Sequence, residues 1–399
     1  SLGLSCCPRA GWTLSVPGCR PPSGTMAYYH GVADGFADVP CVSIARFRHG
    51  TPEERAAEVR RVRDAFENQG MVLLRDHGVP RTVIDACVER SREFFALPRG
   101  RKEDFLPPSG HHIRSYGAVT FPRGKAYSVQ QEAGGDVINE WLLVRDAAQP
   151  YDASSEYFTC PEGREFYTPE EQHPEQLVWP GEVPGLREAT SAYYREVDGL
   201  ANTMYEVFAL ALDLEPDYFL SRARRGPIWP VTIAHYPRQE RPPPEGTMRI
   251  QPHWDRSLFS LITTNDVEEQ ALGGGLQILV DRESGRAADG ESVAGAVWRN
   301  VPIEPDCYVL NVGEQMARWT NGRFRHVVHR VLRTRAPAPT PGAPCCALVL
   351  GRRTRSSRRT RGASRSWPTC SRTTTPRSSA CPAARATAPR STSRPGSGR

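Results

Sequence analysis

Apolar residues recur at three- and four-residue intervals through much of the first half of the chain, and give way to short β-rich segments from Ile228 onward. In TPEERAAEVRRVRDAFENQG, residues 51–70, Val59, Val62 and Phe66 share one helical face. Thr51 suits the N-cap, Pro52 the first helical position, Glu54 completes a capping box, and Gly70 stops the helix. MVLLRDHGVP then reads as a strand running into a turn, and Val83, Cys87 and Phe94 mark a second helix. A long third helix carries Leu186, Tyr193, Val197, Leu200, Met204, Phe208 and Ala211 along one side, a stripe that should pack against a sheet.

The second half offers IWPVTIAHYP, MRIQPHWD, LFSLITTN, GGLQILVD, AVWRNVPI, CYVLNVGE and RHVVHRVL, each bounded by turn residues. That many short strands predict an antiparallel sandwich or closed jelly-roll. Residues 105–180 are rich in Gly, Pro, Tyr and Trp and only weakly periodic, with NEWLLVRD one strand candidate. Beyond Leu332 the pattern ends in an Arg/Ser/Thr/Pro/Ala field with a single short apolar patch, too little to order itself. The expected organisation is a disordered or non-native leader over 1–25, a region of helices and short strands over 26–180, a long helix and β core over 181–335, and a disordered tail over 336–399. The tail has the composition that a reading-frame slip in GC-rich DNA would produce.

Charge changes this picture little. The net charge is +6, but fifteen arginines and no acid fall in 333–399, so the first 332 residues carry 6 − 15, or −9. Basicity thus belongs to the tail and is a poor argument for a nucleic-acid partner. No run reaches the length of a membrane span, so no membrane partner is expected. Of eleven cysteines, Cys41, Cys87, Cys160 and Cys307 lie in the body, widely spaced and without a CxxC. That suits buried thiols in a reducing, cytoplasmic compartment better than disulfides or a zinc site.

The candidate chemistry lies in RIQPHWDRS. On a strand, His253 and Asp255 project to one face and Trp254 to the other. A lone His-x-Asp also fits a solvated strand end, so a metal needs a third ligand, which NGRFRHVVHRV offers as His326 or His329. Two imidazoles and a carboxylate on one face of an octahedron leave three adjacent positions open, the arrangement of non-haem Fe(II) oxygenases.

The flanking residues carry the comparison further. Tyr236-Pro237, His253-Trp254-Asp255, Gly274-Gly275-Leu276-Gln277, Trp298 with Val301-Pro302, Asn311-Val312-Gly313, Asn321-Gly322 and His329-Arg330-Val331 stand in order. As a set they resemble the isopenicillin N synthase-like branch of the Fe(II)/2-oxoglutarate-dependent dioxygenases, over about residues 38–332. The resemblance implies a double-stranded β-helix core with flanking helices and an N-terminal α/β region. It implies His253, Asp255 and His329 as catalytic metal ligands and Tyr236 as a residue touching the cosubstrate, with His326 a neighbour only. It further implies Fe(II) and 2-oxoglutarate as cofactors, and oxygen and a small molecule as partners, in a monomer. Hydroxylation, desaturation or cyclisation of the substrate would accompany release of succinate and carbon dioxide. The family's Arg-x-Ser, whose guanidinium grips the distal carboxylate of 2-oxoglutarate, should follow the last histidine by about ten residues. There the sequence reads TRAPAPTPG, leaving no candidate for the anchor or for the final core strand. Two rivals remain: a ferrous oxidase of the same family that dispenses with 2-oxoglutarate, and a non-catalytic jelly-roll kept as a binding module.

Overall fold

A computed structural model describes residues 33–105, 115–121, 136–144, 179–223, 231–237, 248–264, 275–288, 295–332 and 345–352. The leader, most of the tail and the TRAPAPTPG segment lie outside them. The chain enters through β1 (Cys41–Ser43) and turns at once into α1 (Ile44–His49), because the Ser43 hydroxyl accepts from the Arg46 N–H as an N-cap. Helix α2 (Pro52–Asn68) begins with the expected capping box at Thr51 and Glu54. It closes at Gly70, where φ is 70° and a Cβ would meet the Arg325 carbonyl.

Strand β2 (Met71–Arg75), α3 (Arg81–Ala96) and α4 (Arg99–Glu103) follow, then β3 (Ser115–Phe121) and β4 (Asp136–Val144). The long helix α5 (Leu186–Ala211) buries all seven of its apolar marker positions, and α6 (Tyr218–Ala223) leads out of it. Each β segment of the second half forms its strand: β5 (Val231–Tyr236), β6 (Met248–His253), β7 (Phe259–Thr264), β8 (Leu276–Asp281), β9 (Ala296–Asn300) and β10 (Tyr308–Val312). Helix α7 (Glu314–Trp319) and β11 (His329–Leu332) precede the last strand, β12 (Cys345–Arg352).

Two sheets result, one ordered β1-β2-β10-β7-β12-β5-β4-β3 and the other β6-β11-β8-β9. The larger sheet has a core on each face. Along β2, Val72 and Leu74 join the cluster under α2, α3 and α5, while Met71 and Leu73 join the cluster between the sheets. Strand β10 repeats the division, with Tyr308, Leu310 and Val312 toward the helices and Val309 toward the second sheet. This is the period-two alternation of a strand covered on both sides. The architecture is the jelly-roll with flanking helices and an α/β entry that the sequence implies.

One expectation is corrected. The final core strand is present: β12 pairs antiparallel with β5 on one side and β7 on the other. Its source is the lone apolar patch of the tail, CCALVLGR. Such a patch cannot order itself in isolation, but β5 and β7 present two facing rows of backbone donors and acceptors, and a six-to-eight-residue run of β-forming residues suffices to fill the slot.

Candidate metal centre

Strand β6 ends at His253, and Trp254 and Asp255 follow in irregular backbone. Strand β11 begins at His329, which lies directly opposite His253 in the antiparallel β6–β11 ladder. The two rings stand 4.2 Å apart between centroids, tilted by 54°. Asp255 Oδ1 is 3.8 Å from Nε2 of each histidine, and one donor atom from every residue lies within 4.8 Å of the other two. The side chains therefore converge on one point.

Each ring is held from behind. Nδ1 of His253 is 2.8 Å from the Gln251 carbonyl and Nδ1 of His329 is 3.2 Å from that of Val327. A carbonyl accepts only, so both Nδ1 atoms carry the proton and both Nε2 lone pairs face the centre. Asp255 is split in the same way. Oδ2 accepts from the Ser260 hydroxyl at 2.5 Å and from Asn311 Nδ2 at 2.8 Å, which leaves Oδ1 to face the imidazoles.

Electrostatics agree with the geometry. Burial pushes the His253 pKa down to about 4, assisted by repulsion from His329, so the ring is neutral near pH 7. Burial alone would raise Asp255, but His329, His253 and the hydrogen bonds from Ser260 and Asn311 outweigh it and hold the carboxyl below its usual range. A neutral His253 imidazole beside an ionised Asp255 carboxylate suits the binding of a divalent cation. The donor set suits Fe(II) better than a closed zinc site, which would want a fourth ligand and favours thiolate.

The backbone beneath the centre explains the Asn-Val-Gly motif. Glu314 N–H donates to the Asp255 carbonyl at 2.7 Å, and Gly313 N–H to that of Leu258 at 3.0 Å. A Cβ on Gly313 would come within 2.2 Å of the Ser257 carbonyl and 2.7 Å of the Asp255 carbonyl, so only glycine allows the start of α7 to press against the ligand loop. One residue past His329, fully buried Arg330 donates through Nε to Gln277 Oε1 at 2.9 Å and lies 4.0 Å over the Trp298 ring. Gln277 in turn donates to Asn300 at 2.9 Å. The Gln, Trp and Arg motifs thus form one buried polar tie across β8, β9 and β11.

His326 and His235 stand apart from the convergence point. His326 tilts against Trp254 at 5.6 Å and borders a surface groove with Glu314, Arg318 and Asn321. His235 points to the helical side of the large sheet, where it stacks on Phe95 and bonds Glu140 at 2.7 Å. Its neighbour Tyr236 faces the space between the sheets, with the Arg249 guanidinium 5.1 Å over its ring. Sequence reasoning misses the roles of Ser260, Asn311 and Arg249. Asn311 carries a motif signal, whereas a lone serine on a strand carries none.

Comparison with known proteins places this geometry. Residues 228–338 match the model of the 2OG-Fe(II) oxygenase superfamily, and residues 39–132 match that of the non-haem dioxygenase in morphine synthesis N-terminal region. The chain belongs to the Fe(II)/2-oxoglutarate oxygenase superfamily. Curated relatives of this superfamily include the validamycin A dioxygenase of Streptomyces hygroscopicus subsp. limoneus, 27% identical over 303 residues, 75% of this chain and 73% of that one. The flavanone 3-dioxygenase of Petroselinum crispum is 24% identical over 74% of this chain and 66% of its own. Among solved structures, a full-length Neurospora crassa protein in complex with alpha-KG and 5-formyluracil superposes with a TM-score of 0.58 at 17% identity, covering 80% of this chain and 85% of that one. A 2OG-Fe(II) oxygenase family protein from Caulobacter crescentus gives 0.57 at 23% identity, covering 79% and 86%. As a superfamily member the chain is an Fe(II)- and 2-oxoglutarate-dependent dioxygenase acting on a small molecule with oxygen.

Proposed function

We propose that His253, Asp255 and His329 hold the ferrous ion and that Tyr236 and Arg249 receive the distal carboxylate of 2-oxoglutarate. The observation that carries the first part is the convergence of two Nε2 atoms and Oδ1, each side chain tied through its remaining polar atom to the protein. Bound iron would supply the oxygen-activating chemistry that couples decarboxylation of 2-oxoglutarate to oxidation of the substrate. The protein's own contribution is positional. Gln251 and Val327 fix the imidazole tautomers and Ser260 and Asn311 fix the carboxylate, so the three donor atoms that would hold the ion are oriented in advance.

Arg249 enters because β12 takes the place of the family's Arg-x-Ser strand yet opens with Cys345 opposite Tyr236 and has no arginine before Arg352. A planar guanidinium matches a carboxylate, and that of Arg249 lies 5.1 Å over the ring of Tyr236. The relatives' activities, on validamycin A and on a flavanone, support a small cyclic substrate. A monomer in the cytoplasm is the accompanying reading, in keeping with free thiols at Cys41, Cys87 and Cys307. Among the described residues no helix is long and apolar enough to cross a membrane.

Iron stoichiometry tests the ligand set: His253→Ala, Asp255→Ala and His329→Ala should each lose most bound Fe(II), and His326→Ala should retain it. Equal loss in the His326 variant would overturn the assignment. For the cosubstrate, Arg249→Ala should raise the 2-oxoglutarate concentration needed for succinate release at least tenfold while iron binding is unchanged. An unaltered requirement would remove Arg249 from the cosubstrate site.

A further inference from the structure

Cys41, Glu304 and Cys307 come together at the edge of the large sheet, with one donor atom of each within 4.8 Å of the other two. The widely spaced body cysteines predict separate buried thiols, and Cys87 is one; Cys41 and Cys307 instead meet, joined across β2. Cys41 opens β1, and Glu304 and Cys307 are three residues apart around the turn that enters β10. That turn is tight, since Asp306 between them holds φ at 55°. Two ligands three apart on a turn, joined by another from a separate strand, is the layout of many structural zinc sites.

We propose that Cys41, Glu304 and Cys307 form a second metal site that takes a thiophilic divalent cation, Zn(II) by preference, with water in the fourth position. The donor chemistry selects the ion. Two sulfurs and a carboxylate oxygen suit a borderline-soft tetrahedral cation and disfavour the oxygen-loving Mg(II) and Ca(II). Access is available because Glu304 is exposed and Cys41 half-buried, while buried Cys307 forms the floor.

The surroundings favour the thiolate that a metal requires. The Cys307 thiol donates to Cys41 and draws its pKa down, burial acts against this, and the charge of Arg75 assists. The same bond and burial push Cys307 up, and a bound cation would displace the protons that the two sulfurs carry. Two thiolates, a carboxylate and a dication sum to −1, and Arg75, itself 3.7 Å from Asp76, stands beside them. Asn311, which orients Asp255, and Cys307 lie at opposite ends of β10, so the two centres are separate. A cation here would fasten edge strand β1 to the turn before β10.

Titration of the reduced, iron-loaded full chain with Cd(II) tests the site through thiolate-to-cadmium absorbance in the ultraviolet. Cys41→Ser and Cys307→Ser should each remove the same increment of absorbance at the first added equivalent, and Cys87→Ser should remove none. Glu304→Gln, at an exposed position that folding should tolerate, is expected to keep the band and weaken affinity about tenfold. Zn(II) should compete the band away, whereas Mg(II) should not. Cys41→Ser and Cys307→Ser titrations that superimpose on the parent would overturn the proposal. So would a Glu304→Gln affinity equal to the parent's.

Discussion

At the scale of single residues, the candidate centre is governed less by its three proposed ligands than by what stands behind them. Ser260 and Asn311 both donate to Oδ2 of Asp255, and removing either frees the carboxylate to rotate. Loss of an outer partner of this kind typically weakens metal binding about 10- to 100-fold. Ser260→Ala and Asn311→Ala should therefore lower Fe(II) affinity by about that factor, read by competition with a chelator, with little change in thermal midpoint. Protons act on the same group of residues with a definite sign. The folded pKa of His253 is depressed to about 4, below the roughly 6.5 of an unfolded histidine. The unfolded chain thus binds the extra proton first as pH falls from about 6.5 to 4, and apo-protein stability declines across that window. Urea unfolding should show the parent losing about 2 kcal/mol more than His253→Gln between those limits, the figure discounted for partial exposure. A parallel decline in both proteins would contradict the depressed pKa. The sequence makes His253, Asp255 and His329 legible as candidate ligands because each stands in an ordered set of motifs. It conceals Ser260 and Arg249, whose roles depend on contacts that cross between strands.

Elements tell a second story, in which helices are more legible than strand order. The α2 capping box and the α5 stripe are local signals, and both appear where the spacing places them. Strand β12 is not legible, because its order comes from β5 and β7 rather than from its own neighbours in the chain. The same holds for the buried tie between α4 and the large sheet. Lys102 Nζ donates to Glu140 at 2.8 Å, the Tyr116 hydroxyl donates to it at 2.7 Å, and His235 completes the set. Both Lys102 and Glu140 are buried, so Glu140→Leu strands a cation away from water. Breaking one partner of such a pair costs about 3–5 kcal/mol, and denaturant unfolding of Glu140→Leu should show a loss of that order. The double variant Lys102→Met/Glu140→Leu should recover a large part of it. Gly313→Ala is an independent check on the ligand loop. Its Cβ would collide with the Ser257 and Asp255 carbonyls, so iron binding should fall together with stability.

For the whole molecule, the large sheet is a partition. Its helical side carries the aromatic core of Phe66, Phe208, Phe259 and Phe324, and its other side carries the wall that Tyr236 and Val309 share with the small sheet. Damage on the two sides should be distinguishable. Phe66→Ala empties a fully buried site and should cost about 3–5 kcal/mol in unfolding free energy, while the protein that stays folded binds Fe(II) normally. A proportional fall in iron affinity would show that the partition transmits strain. Fold class is readable because period-two and period-3.6 patterns occupy different parts of the chain. The pairing of distant strands, and with it the approach of Cys41 to Cys307, is a property of the sheet as a unit and leaves no mark on linear spacing.

The cross-strand pairing of His253 with His329 also bears on how such a protein can change over time. Imidazole separation is read across a backbone ladder, whose width is the same in every sheet, and not along the intervening polypeptide. Long connections such as the one between Asp281 and Ala296 would consequently be invisible to a bound ion. A slip of one rung would instead turn an imidazole to the opposite face and end metal capture in a single step. Insertions between these strands should accumulate freely, while the rung itself tolerates none.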